Sequence, residues 1–426
     1  MRVVRIAGLV LFLFAWIALP VWGQEWEMAQ RDSVHSGFTE EGPTPPLKRA
    51  WRATATESQG HFTTWPVVKG GEVYATQGPG QLAVEAATGR TKWFIENEEE
   101  GSAQVTPSVD DQHVYLSIPF GRFIALERST GVEMWRFQAK DRLDASSVLV
   151  DGRLYVGSAE AKTFYCLDAA TGTLVWEKQL DLEPNSIPTV AEGIVVFSIH
   201  DLDSPRTDFI ALDSATGEQI WRTPNTLGST SPSIMGDRVI IGGGDFFAYA
   251  LDLRTGREVW KSEVVDKFST RSMPALAFGD VFLADRIGNI YRLDGETGER
   301  KWFFDDTEGT MDQSAPIVAG KTLYIGSGAG FLYGVDVDSG KLVWEDRVQG
   351  IVLSGAADAE RFYFGVKFGD EGLYAYEHDP EAPDTPIGGP RTPGLISTMF
   401  KGFAAFLVVL MVVILYAGYR KRRAAD

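Results

Sequence analysis

Cysteine is almost missing from this chain. Cys166 is the single one among 426 residues, so the chain alone can form no intrachain disulfide, no cysteine-based zinc site and no iron–sulfur cluster. Histidine is sparse too. His35, His61, His113, His200 and His378 are scattered and show no H-E-x-x-H pairing, so no metal site is expected. No Ser/His/Asp triad can be placed, because nothing in the sequence brings the histidines together, and no catalytic residue is named. Positive charge is scarce: 40 Lys and Arg stand against 58 Asp and Glu, a formal net charge of -18. The ends are basic, +2 over residues 1–23 and +4 over 401–426. With -2 on 379–400, this leaves -22 on 24–378. Such a body repels nucleic acid, whose binding rests on neutralising phosphates. The charge reads as a device for solubility.

The two ends place the protein. Residues 1–23 read as a signal peptide: Arg2 and Arg5 lead an uncharged apolar run from Ile6 to Leu19, Pro20 breaks it, and cleavage is expected near Gly23. An uncleaved anchor is the alternative. Residues 401–419 read as a transmembrane helix. Its uncharged stretch, 402–419, holds 18 residues, about 27 Å as a helix, which is enough to cross a bilayer core. The tail 420–426 opens with Arg420, Lys421, Arg422 and Arg423, which keeps it on the cytoplasmic side with the body outside, periplasmic or at the cell surface. Between body and span, 379–400 carries Pro380, Pro383, Pro386, Pro390 and Pro393, a semi-rigid extended linker.

The middle is a repeat. The pattern [ST]-G-x-x-x-W recurs at Gly89/Trp93, Gly131/Trp135, Gly172/Trp176, Gly217/Trp221, Gly256/Trp260, Gly298/Trp302 and Gly340/Trp344, with glycine spacings of 42, 41, 45, 39, 42 and 42. Short strand-like runs such as FYCLDAATG and FIALDSATG precede each turn, and others such as RLYVGS (153–158) lie further upstream. Glycine supplies the positive φ of a tight turn. The Trp that follows is large enough to fill the gap between neighbouring sheets. Units of about 42 residues with four strands suit a propeller blade. Trp51 lies 42 residues before Trp93, and 361–379 has the middle strands of a unit with no T-G-x-x-x-W after it. Closure of that last sheet by the strand around Trp51 predicts an all-β, eight-bladed propeller of four-stranded antiparallel blades over 47–378, behind a lead-in at 24–46. Seven blades is the alternative.

These units resemble pyrroloquinoline-quinone-type (PQQ-like) repeats, marked by A-x-D-x-x-T-G-x-x-x-W. The run from Trp26 through Met28, Asp32 and His35 to Gly37 resembles the W-x-M-x-x-x-D-x-x-H-[ST]-G lead-in of such propellers. By length and repeat count the chain is similar to the BamB-like group of outer-membrane assembly factors, which the resemblance implies are non-enzymatic, partner-binding scaffolds. The same fold houses quinoprotein alcohol dehydrogenases, which hold PQQ beside a disulfide of adjacent cysteines, with Ca²⁺ and an Asp base. This chain has no adjacent cysteines and no C-x-x-C-H haem motif.

One end of the channel is the candidate site. A recurring x-x-x-P element starts the inner strands, and its first positions give Thr63, Gln104, Ala145, Asn185, Ser229, Arg271, Gln313 and Leu353, with Asp312 and His61 close by. Gln104, Asn185, Arg271, Asp312 and Gln313 are the candidate ligand-binding residues at the channel mouth. The alternative is that these polar groups bind channel water and neighbouring backbone. The acidic run 96–100 reads as a solvated loop. Gly242–Gly244 precedes a strand, so it is not a phosphate loop. Cys166 reads as a buried small hydrophobe. The function expected is a membrane-tethered, extracytoplasmic scaffold whose inter-blade loops recognise envelope or membrane proteins, with the bilayer met through 402–419 and no cofactor. A PQQ- and Ca²⁺-dependent dehydrogenase, or a PQQ or small-ligand binder, is the alternative.

Overall fold

The computed structural model describes residues 25–381 apart from 56–60, 63, 79, 97–104, 119, 144, 185, 202–206, 226–230, 244, 264–271, 306 and 312–313. Strands follow one another as antiparallel neighbours, and every four make one sheet, for eight sheets in all. Blade 1 is typical: Val67–Lys69 is innermost, then Glu72–Gln77, Gly80–Glu85 and the outer Thr91–Glu96. Two blades carry more. Phe38–Thr39 adds in parallel to Ile317–Ala319 in blade 7, and Glu183–Pro184 pairs with Ile194–His200 in blade 4. The predicted membrane span, the signal peptide and the linker beyond residue 381 lie outside the described residues, and among those that are described no helix is long and apolar enough to cross a membrane.

The middle strands are covered on both faces by neighbouring blades. Phe164, Tyr165, Cys166 and Leu167 are therefore all buried, and the alternation along such a strand chooses which neighbouring sheet each side chain meets. Outer strands behave differently. Glu133–Gln138 alternates exposed and half-buried, because its edge faces solvent.

The repeat motif fastens blade to blade. In each of the eight blades a bulge shifts the register beside the tryptophan. The indole N–H then donates to a backbone carbonyl of the next blade: Trp51 to Ala86, Trp93 to Arg128, Trp135 to Ala169, Trp176 to Ser214, Trp221 to Leu253, Trp260 to Gly295, Trp302 to Val337 and Trp344 to Leu47, at 2.8–3.1 Å. The ring face lies on the glycine of the next turn, in the order Gly89, Gly131, Gly172, Gly217, Gly256, Gly298 and Gly340. At Gly172 (φ +69) a Cβ would stand 2.3 Å from the Trp135 ring, so backbone and neighbour both demand glycine.

Opposite each tryptophan stands a small residue: Ala83, Ala125, Cys166, Ala211, Ala250, Gly334 or Ala375, with Arg292 the exception. Cys166 thus takes the place that alanine or glycine holds elsewhere.

The last blade is completed from the other end of the chain. Leu47–Ala53 forms its outer strand, antiparallel to Gly372–His378 with Leu47 opposite His378. Antiparallel alternation then puts two kinds of turn on opposite faces of the ring. The hairpin tips joining second to third strands lie on one face; the T-G turns lie on the other, where the chain also leaves at Asp379.

Candidate functional site

Each inner strand is short and turns one unpaired edge toward the channel. An unpaired edge amide needs a partner. The lead-in supplies it around most of the ring. Val68, Val109, Val190, Ile234, Leu276 and Val318 occupy matching positions in blades 1, 2, 4, 5, 6 and 7. They donate to the carbonyls of Trp26, Glu27, Ser33, Val34, Ser36 and Gly37, at 2.6–2.9 Å. The segment Trp26–Thr39 therefore runs along the inner rim in the same sense as the blades and lines the inner strands with backbone.

The lead-in motif has a structural logic residue by residue. Gln30, Arg31, His35 and Gly37 all have positive φ, so the segment is tightly folded. The Asp32 carboxylate accepts the Ser36 N–H at 2.9 Å and its hydroxyl at 2.5 Å. His35 is fully buried, and its Nδ1 donates to the Pro232 carbonyl of blade 5 at 2.8 Å. Burial holds its pKa down to about 4, against the partial opposition of that hydrogen bond. At Gly37 a Cβ would come within 2.4 Å of Gln30 Oε1. The sequence marked this motif as a family sign; its task as an inner lining was not visible there, because hydrogen bonds accepted by backbone carbonyls leave no trace in residue type.

At the start of the inner strands, hydroxyls fasten backbone. Thr64, Ser186, Ser272 and Ser314 accept the N–H groups of Thr76, Ser198, Ala284 and Gly326 within their own blades. Ser146 and Ser354 accept those of Thr106 and Ala315 in the preceding blade. Gln104, Asn185, Arg271, Asp312 and Gln313, like Thr63 and Ser229, lie outside the described residues. The remaining two ring positions, Ala145 and Leu353, are buried apolar groups. His61 faces the Glu371 carboxylate and packs at a tilt against Phe368, with ring centroids 4.4 Å apart.

The face of hairpin tips is apolar in places. Phe120, Phe246, Ile287 and Phe368 sit on tips of blades 2, 5, 6 and 8, each 40–62% exposed. The three phenylalanines adopt positive φ (64°, 76° and 58°), a costly state for a bulky residue.

The lone thiol, Cys166, is buried under Trp176 in blade 3, and burial pushes its pKa up to about 11. Among the described residues no three His, Cys, Asp or Glu side chains converge as a metal site.

The family described as outer membrane protein assembly factor BamB matches residues 45–137, 120–267 and 205–351. BamB of Burkholderia pseudomallei is 28% identical over 265 residues, covering 58% of this chain and 66% of that protein. Quinohemoprotein alcohol dehydrogenase ADH IIB of Pseudomonas putida is 26% identical over 147 residues, 30% of this chain and 21% of that one. The matches thus span under two thirds of these relatives' own lengths. The crystal structure of BamB from Moraxella catarrhalis superposes with a TM-score of 0.63 at 16% identity, over 78% of this chain and 99% of that one, a likeness of fold.

Proposed function

Because the chain belongs to the BamB family of outer membrane assembly factors, we propose that it is a protein-binding scaffold: a rigid ring that presents loops to partner proteins of a cell envelope. The observation that carries this reading is the use of the inner rim. Lead-in carbonyls take up its edge amides, and small hydroxyls at the starts of the inner strands take up amides of the second strands. That leaves the loops, with Phe120, Phe246, Ile287 and Phe368 at their tips, as the recognition elements. In this proposal residues 1–23 direct export, 402–419 hold the ring to a bilayer, and 379–400 space it from the surface.

The second reading is a PQQ-dependent dehydrogenase, favoured by the quinohemoprotein relative. Arg271 and Asp312 would be its natural ligand contacts.

Calorimetric titration of PQQ, with and without Ca²⁺, into the full chain in detergent separates the two. No saturable heat is the result expected of a scaffold. One-to-one binding at micromolar or tighter affinity, lost in Arg271→Ala, would establish a cofactor site in its place.

A further inference from the structure

A cleft of about 800 Å³ opens between blades 7 and 8 on the hairpin-tip face. Its walls include Arg49 from the closing strand and Arg347 from the end of the outer strand of blade 7, with Asp346, Asp370 and Tyr376. The acids already have partners. The Tyr376 hydroxyl and the backbone N–H of Arg347 both donate to Asp346, at 2.5 and 2.7 Å, and Asp370 lies 3.8 Å from the Arg52 guanidinium.

The two arginines lack an acidic partner, and Arg49 reaches only the Tyr374 hydroxyl. Neither has a carboxylate within ion-pair range among the described residues, although most other basic side chains of the ring do. Each is held instead over an aromatic ring, Arg49 at 5.9 Å from the Tyr374 centroid and Arg347 at 4.8 Å from that of Phe331. A guanidinium laid on a ring is oriented and keeps its N–H fork open for a carboxylate. On a body of formal charge -22, two such groups at one cleft are a local exception. An apolar anchor adjoins them: Phe368, 49% exposed, precedes Asp370 on the same hairpin tip, whose backbone abuts Gly350 of the cleft wall.

We propose that this cleft binds an acidic segment of a partner polypeptide, with carboxylates on Arg49 and Arg347 and an apolar side chain against Phe368. The inference rests on the scaffold reading and names the chemistry of the partner. An open cleft with an apolar edge suits an extended chain better than a compact anion.

The test uses the full chain in detergent and two fluorescein-labelled ten-residue peptides, one of glutamate and leucine, the other with glutamine for each glutamate. Anisotropy should show saturable, salt-sensitive binding of the acidic peptide. The glutamine peptide should bind at least about tenfold more weakly, and Arg49→Gln/Arg347→Gln should lose at least about tenfold as well. Arg49→Lys/Arg347→Lys should recover part of the loss, which a collapsed fold would not. Phe368→Ser should weaken the acidic peptide by about threefold or more. Equal binding by wild type and the double glutamine variant would overturn the proposal. So would equal affinity for both peptides, or inorganic phosphate matching the acidic peptide as a ligand. Failure here is distinct from failure of the scaffold reading, which the PQQ titration probes without these arginines.

Discussion

Trp344 donates its indole N–H to the carbonyl of Leu47 at 3.1 Å, across 297 residues of sequence. The other seven tryptophans make the same bond to the blade that follows them in the chain; this one makes it to the closing strand. Trp344→Ala removes the bond and leaves a cavity at the seam, where Tyr324 and Tyr376 pack on the ring at 6.3 and 5.6 Å. The expected cost is about 3–5 kcal/mol, read as a lower urea midpoint.

The turn glycines carry a sharper prediction. Gly172→Ala brings a methyl into the Trp135 ring and forces alanine to φ +69. A loss of about 2 kcal/mol is expected in urea unfolding. Gly152 also has positive φ (+70) but nothing within 4 Å, so Gly152→Ala isolates the backbone share and should cost about 1 kcal/mol.

His35 links stability to pH. Its pKa is held to about 4 in the folded chain, from an ordinary 6.5. Between these values the unfolded chain binds the extra proton, so stability is full above about pH 6.5 and falls as pH drops toward 4. The loss amounts to about 3 kcal/mol. Asp32 is the charged group that bears on the ring, and it opposes the shift. His35→Gln should flatten this part of the stability profile relative to wild type, measured by unfolding at half-unit steps of pH.

Cys166 should be inert. Buried and with its pKa pushed up to about 11, it is expected to ignore Ellman's reagent at pH 8 until denaturant is added. Because alanine or glycine stands at six of the equivalent positions, Cys166→Ala should change stability by less than about 1 kcal/mol.

The architecture was legible because it repeats. Trp and Gly at fixed spacing disclosed the blades, and Trp51, 42 residues before Trp93, disclosed the closure. The small residue opposite most of these tryptophans was also written there, chiefly as the alanine of the A-x-D-x-x-T-G motif, and it accounts for Cys166. The lining role of the lead-in was hidden, because Trp26, Ser33 and Val34 act there through main-chain carbonyls. So was the cleft at Arg49 and Arg347, which lie 298 positions apart and meet only when the ring closes. The hydroxyls of Ser186, Ser272 and Ser314 could be counted in advance, but not their targets twelve residues on.

The closing seam has a mechanical meaning. Any pull on the chain beyond Asp379 enters the ring through Gly372–His378, whose outer neighbour, Leu47–Ala53, is joined to it only by hydrogen bonds and side-chain contacts. The bonds nearest the point of loading are those of the Asp379 N–H to the Pro46 carbonyl, at 2.8 Å, and of His378 Nδ1 to the Thr44 carbonyl, at 2.7 Å. They would bear force one after another, as a zipper does, so a pull on the chain is felt first at the place where its two ends meet.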